Sequence, residues 1–119
     1  MKKILITGGP GTVGSAFIKE YYDKYKFINI SRSEKHITEL YRNFQNVDSY
    51  IGDILDLDRL INIFETVKPD LVIHSAALKH INLAEENPTS AVEANVRGSL
   101  NIIKASIRYE GQTANPIAL

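Results

Sequence analysis

Short aliphatic runs alternate along this chain with longer stretches of helical period. Residues 3–7, Lys-Ile-Leu-Ile-Thr, have the unbroken apolar centre of a strand buried on both faces. Val13, Phe17 and Tyr21 recur four apart and predict a helix over 13–25. A second strand is expected at 27–30, followed by a short helix over 37–44 with Ile37, Leu40, Tyr41 and Phe44 on one face. The third strand, at 47–51, rests on two aliphatic residues, Val47 and Ile51. Leu57, Leu60, Ile61 and Phe64 mark a helix over 57–67, which Pro69 ends, and residues 71–74 form the fourth strand. One long helix then runs from Pro88 to about residue 109, with Val92, Val96, Ile103 and Ile107 among its apolar positions and Gly98 as its internal weakness. Residues 110–119 carry no period, include Gly111 and Pro116, and are expected to be an irregular tail.

The order β-α-β-α-β-α-β-α with right-handed crossovers predicts an α/β fold. It is the N-terminal half of a Rossmann-type doubly wound parallel sheet, with strand order 3-2-1-4 and a crevice between the first and fourth strands. A single incomplete domain over 1–109 is expected. The composition agrees: 119 residues with 44% hydrophobic and 24% charged suffice for one core without staples. Fourteen basic residues balance fourteen acidic ones, so no net field favours nucleic acid or an anionic membrane. The absence of cysteine excludes disulfides, thiolate zinc sites and thiol nucleophiles. The opening apolar run ends at Ile6 in a glycine cluster, unlike an export signal, and no apolar run reaches the roughly 18 residues of a membrane span. A cytoplasmic protein is expected.

Candidate chemistry begins at Thr7-Gly8-Gly9-Pro10-Gly11-Thr12-Val13-Gly14, directly after a strand and opening a helix. Gly8 permits the tight turn, Gly11 lets backbone approach a pyrophosphate, and Gly14 lets the helix pack against the sheet. The N–H groups that open the helix, at Thr12 and Val13, face the phosphates. No Gly-Lys-Ser/Thr ending follows, so this is not the phosphate loop of ATP and GTP hydrolases. Where an acid at the end of the second strand would bind a ribose 2′-hydroxyl, the chain has Ser31-Arg32-Ser33, a guanidinium and two hydroxyls suited to a 2′-phosphate. NADP is therefore expected over NAD, with Glu34 an exposed loop acid. Asp53, with Ile54 beside it, is a candidate for the adenine amino group, and a turn or helix-cap aspartate is the equal alternative. Asp53, Asp56 and Asp58 do not have the spacing of a calcium loop.

At the crevice, small Ala76 and Ala77 leave room for a cofactor, Lys79 is placed to meet phosphate or ribose oxygens, and Asn95 is a candidate for a hydrogen bond to the crevice. His74 and His80 resemble zinc ligands by type alone, with no third ligand at useful spacing. Tyr22 and Lys26 have Tyr-x-x-x-Lys spacing but end the first helix, away from the strand carboxyl ends, and are expected to be a surface or packing pair.

Together these residues resemble the extended short-chain dehydrogenase/reductases that act on nucleotide sugars. Thr7-Gly8-x-x-Gly11-x-x-Gly14, Gly52-Asp53, His74-x-Ala76-Ala77 and Asn95-x-x-Gly98-x-x-Asn101 carry the likeness in family order. Ser31-Arg32-Ser33 and Ala76-Ala77-Leu78-Lys79-His80, followed by Glu85 and Pro88, narrow it to the UDP-N-acetylglucosamine 4,6-dehydratases of surface-polysaccharide synthesis. The likeness spans residues 2–109. It implies hydride transfer from sugar C4 to NADP, loss of water across C5 and C6, and return of the hydride to C6. It also implies a nucleotide-sugar substrate for the full-length enzyme and homo-oligomers paired through the long helix. The catalytic Thr-Asp-Lys segment and the Tyr-x-x-x-Lys pair after it do not occur in this chain, which is expected to be silent alone. The other class of function compatible with these residues is a noncatalytic NADP-binding or partner-binding module. With no fifth strand expected, the edge of the fourth is left unpaired, a further reason to expect self-association.

Overall fold

The computed structural model describes residues 1–9, 11–75, 88–108 and 115–118. Five strands, β1 (Lys3–Thr7), β2 (Lys26–Ser31), β3 (Asp48–Ile51), β4 (Leu71–His74) and β5 (Asn115–Ala118), form one sheet in the order β3-β2-β1-β4-β5. All pairings are parallel. The described helices are α1 (Thr12–Tyr21), α2 (Glu34–Asn43), α3 (Leu57–Val67) and α4 (Pro88–Arg108). The expected order 3-2-1-4 is observed, and β1, α3 and β4 have the bounds their sequence patterns predict.

Two differences in helix bounds have local causes. α2 begins at Glu34, three residues before its apolar face, because the Ser33 hydroxyl accepts from His36 N–H at 3.4 Å and an acid suits the first turn. α1 stops at Tyr21, and Lys24 N–H and Tyr25 N–H both return to the Tyr21 carbonyl in a turn. α3 is capped by Asp56, whose carboxylate accepts from Arg59 N–H, and ends at Lys68 in a left-handed conformation (φ 56°).

Asn115–Ala118 corrects the expectation of an irregular tail: it is β5, with Ile117 opposite Ile73. Its local signal is weak because a four-residue strand containing proline has no readable alternation, and proline is compatible with an edge position in a sheet. β4 is consequently paired on both sides, by β1 and β5, and is not the exposed edge expected from sequence.

Alternating side chains of the sheet feed two cores. Leu5, Ile28, Ile30 and Val72 pack with Leu60, Ile63, Phe64 and Val67 of α3 and Ile102 and Ala105 of α4. Ile4, Ile6, Phe27 and Ile73 pack with Ile18 of α1 and Leu40 of α2. Helices α1 and α2 therefore cover one face and α3 and α4 the other. The chain reverses its direction of travel across the sheet between β1 and β4, the place where such sheets open a crevice.

Candidate functional site

The glycine loop leaves β1 at Gly8, whose positive φ of 76° is open to glycine at little cost. Gly11 N–H closes the turn onto the Gly8 carbonyl at 3.0 Å. Gly11 is the N-cap of α1, in extended conformation, and donates no side chain to the helix end; no acid lies in the first turn. The first intrahelical bond runs from Ser15 N–H to the Gly11 carbonyl at 2.8 Å, so the N–H groups of the preceding turn lack an intrahelical acceptor. A Cβ on Gly14 would fall on the Gly8 carbonyl oxygen and lie 2.8 Å from Gly9 Cα. The close contact that needs the third glycine is thus made with the loop just past the end of β1, where the sequence pattern predicts one with the sheet.

Two further residues fix this loop and were not singled out from sequence. Gly9 N–H donates to Asn29 Oδ1 at 3.0 Å, and a Cβ on Gly9 would meet that oxygen at 2.7 Å. Asn29, fully buried in β2, also directs Nδ2 at Ser49 Oγ on β3, 3.4 Å away. The only sequence signal is an asparagine inside the apolar run Phe27-Ile28-Asn29-Ile30. Ser15 Oγ adds a bond to the Gly9 carbonyl at 3.0 Å.

The register brings the other candidates to the same edge. Thr7 lies beside Ile30 and His74, and Ser31 beside Ile51, so the loops after β1, β2, β3 and β4 leave the sheet at one end. Ser31 ends β2, Arg32 is exposed, and Ser33 caps α2. Glu34 is exposed past the strand end, as expected, but it opens α2 and is not a loop residue, because Ser33 caps the helix directly before it. Asp53 forms a turn: Oδ1 accepts from Leu55 N–H at 2.9 Å, and its carbonyl accepts from Asp56 N–H at 2.9 Å. Asp53 thus has a turn role through Oδ1, and its side chain is half-buried. Ile54, partly buried, packs onto the α3–α4 core.

Between β1 and β4 lies a buried polar cluster. Thr7 Oγ1 is 2.7 Å from His74 Nδ1 and accepts from Ser75 N–H at 3.1 Å, while Ser75 Oγ donates to the Thr7 carbonyl. Burial lowers the His74 pKa below the usual imidazole value, which keeps the ring neutral near pH 7. Among the described residues no group of His, Asp and Glu is placed to hold a metal.

Ala76, Ala77, Lys79 and His80 lie outside the described residues. Thr12 and Asn95 are placed only as members of α1 and α4, and Val13 is exposed in the first turn of α1. Tyr22 and Lys26 act together on the turn before β3. The tyrosine hydroxyl accepts from Asn46 N–H at 3.3 Å, and Lys26 Nζ donates to the Asn46 carbonyl at 2.7 Å, so the pair pins that turn from both sides of one residue. A groove of about 400 Å³ bordered by Phe17, Tyr21, Tyr25, Lys2 and Asp70 lies at the start of β1 and β4, the end of the sheet opposite the glycine loop.

Residues 4–115 match the family described as polysaccharide biosynthesis protein. The chain belongs to that family. It is 39% identical over 123 aligned residues to a UDP-N-acetylglucosamine 4,6-dehydratase (inverting) of Campylobacter jejuni, covering 99% of this chain and 36% of the relative. The X-ray structure of Pen from Bacillus thuringiensis superposes with a TM-score of 0.82 at 36% identity, over 97% of this chain and 36% of that one. A UDP-glucose 4-epimerase of Thermotoga maritima, solved with UDP-glucose, gives 0.78 at 28% identity, over 91% of this chain and 35% of that one. The chain thus spans about a third of the length of these relatives. Among its described residues, no helix is long and apolar enough to cross a membrane.

Proposed function

We propose that this chain is the NADP-binding portion of a nucleotide-sugar 4,6-dehydratase or epimerase-like enzyme of surface-polysaccharide synthesis, of the UDP-N-acetylglucosamine class. The observation that carries the reading is the fit of loop to helix: Gly8 in the left-handed region, Gly14 without room for a Cβ, and a first turn of α1 with neither a side-chain cap nor an acid. Such a helix start favours a pyrophosphate. Its position at the β1/β4 crevice, and the 39% identity to a relative named for 4,6-dehydration of UDP-N-acetylglucosamine, support the rest.

In this reading the N–H groups opening α1, at Thr12 and Val13, hold the phosphates between Gly8, Gly11 and Gly14. Ser31, Arg32 and Ser33 hold the 2′-phosphate, with the guanidinium as its charged partner. Asp53 and Ile54 border the adenine, and Ala76, Ala77, Lys79 and Asn95 the nicotinamide side. The bound nicotinamide supplies a hydride acceptor; the chain's own residues bind and orient it. A nucleotide sugar is the substrate of the full-length enzyme, this chain alone converts none, and a second copy pairs with it. Titration with NADPH followed by nucleotide fluorescence tests the binding. Saturable one-to-one binding supports the proposal, and no binding up to millimolar NADPH contradicts it.

A further inference from the structure

We propose that Asn101 and Gly98 of α4 are positioning residues for the adenine end of the dinucleotide site, acting through the backbone of the loop that follows β3. The inference rests on the proposed dinucleotide binding and adds to it a helix with no assigned part in adenine recognition. Asn101 Nδ2 donates to the Ile54 carbonyl at 2.9 Å, across 47 residues of sequence. Gly98, three residues earlier on the same helix face, is buried, and a Cβ there would run into the Ile54 side chain, 3.0 Å from Cγ1 and closer still to Cδ1. One loop residue is therefore held twice by neighbouring turns of α4, by its carbonyl and by its side chain.

The bonds within the loop set the shape of its middle but not its location. Asp53 closes a turn onto Leu55 and Asp56, all within the loop itself. At the start of the loop, Gly52 N–H is tied to the Ser31 carbonyl at 3.0 Å, and Arg59 reaches the Ile51 carbonyl through Nε and Nη2 at 3.2 Å each. At its end, Asp56 is tied to α3, its carbonyl accepting from Leu60 N–H at 3.1 Å and its carboxylate from Arg59 N–H at 3.2 Å. Between these two anchors, over residues 53–55, the described hydrogen bond from another element to the loop backbone is the one from Asn101. α4 is itself immobilised, since Ile102 and Ala105 are buried against α3. Fixing the Ile54 carbonyl fixes the peptide that follows Asp53, and so limits where its carboxylate can meet an amino group. Asn101 touches no nucleotide in this scheme.

The test compares NADPH with its deamino analogue, in which hypoxanthine replaces adenine and the 6-amino donor is lost. For the unaltered chain we expect about tenfold preference for NADPH, the size of one hydrogen bond to a charged acceptor. Asn101→Ala should reduce that preference to about twofold or less while leaving affinity for the deamino analogue unchanged. Asn101→Asp, similar in shape but without the N–H donor, should do the same and serves if the alanine variant does not fold. Equal losses for both nucleotides, or a preserved preference, would overturn the proposal. If the unaltered chain binds neither nucleotide, the dinucleotide reading fails and amide exchange decides the clamp. Faster exchange at Leu55 and Asp56 in Asn101→Asp then supports it, and unchanged exchange overturns it.

Discussion

Asn29 is the polar member of an otherwise apolar strand, and its burial is tolerated because both ends of its amide have partners. Asn29→Ala would leave the Gly9 N–H buried without its acceptor, a loss of about 1–3 kcal/mol. A lowered urea midpoint is the expected outcome; an unchanged one would show that the glycine loop does not depend on β2. His74 gives a pH dependence whose sign follows from burial. Its folded-state pKa lies below the usual value of about 6.5, so the unfolded chain takes up protons first as pH falls. The stability this represents is full above about pH 6.5 and is lost as pH falls through the folded value. His74→Asn, which keeps a polar group near the Nδ1 position, should flatten the stability change between pH 7 and 5, measured by urea denaturation at each pH. An unaltered slope would assign that pH dependence elsewhere. At this scale the sequence displayed Gly8 and Gly14 because glycine spacing is a local signal. It did not display Asn29 or Ser75, whose partners lie 20 and 68 residues away.

The helix α1 and the loop before it act as one element. Gly14 sits where an added Cβ meets backbone atoms of Gly8 and Gly9, which cannot turn aside as a side chain can. Gly14→Ala should therefore destabilise the chain by about 1–3 kcal/mol and weaken NADPH binding by tenfold or more. An alanine variant that binds as the unaltered chain does would remove Gly14 from the cradle. Elements were legible where punctuation and period agreed. α3 is bounded by Asp56 and by Lys68-Pro69, and β1 and β4 are dominated by aliphatic residues flanked by turn residues. They blurred where a cap preceded the apolar face, as at Ser33, or where tyrosines continued it past the last turn, as at Tyr22 and Tyr25. β5 was illegible because its strand character comes from pairing with β4, a contact 44 residues away at Leu71 and Asn115.

At the scale of the whole molecule, β5 removes one reason for self-association, since β4 no longer ends the sheet. The surface of α4 supplies another. Val96, Leu100 and Ile103, at i, i+4 and i+7, remain 52%, 47% and 41% exposed on the helix that family resemblance places at the pairing surface. Light scattering at micromolar concentration should report a dimer, and Leu100→Glu should return it to a monomer. A monomer from the unaltered chain would contradict the pairing. The gathering of Thr7, Ser31, Gly52 and His74 at one end of the sheet was legible from strand order, because parallel strands with right-handed crossovers place their carboxyl ends together. What that end binds is the central claim. The most direct test is to measure the affinities of the chain for NADPH and NADH, and to repeat both with Arg32→Ala. The account predicts preference for NADPH by about ten- to a hundredfold, lost in the variant through weaker NADPH binding alone, as expected for one charge-assisted contact to the 2′-phosphate. Equal affinities in the unaltered chain, or a preference that survives Arg32→Ala, would contradict it.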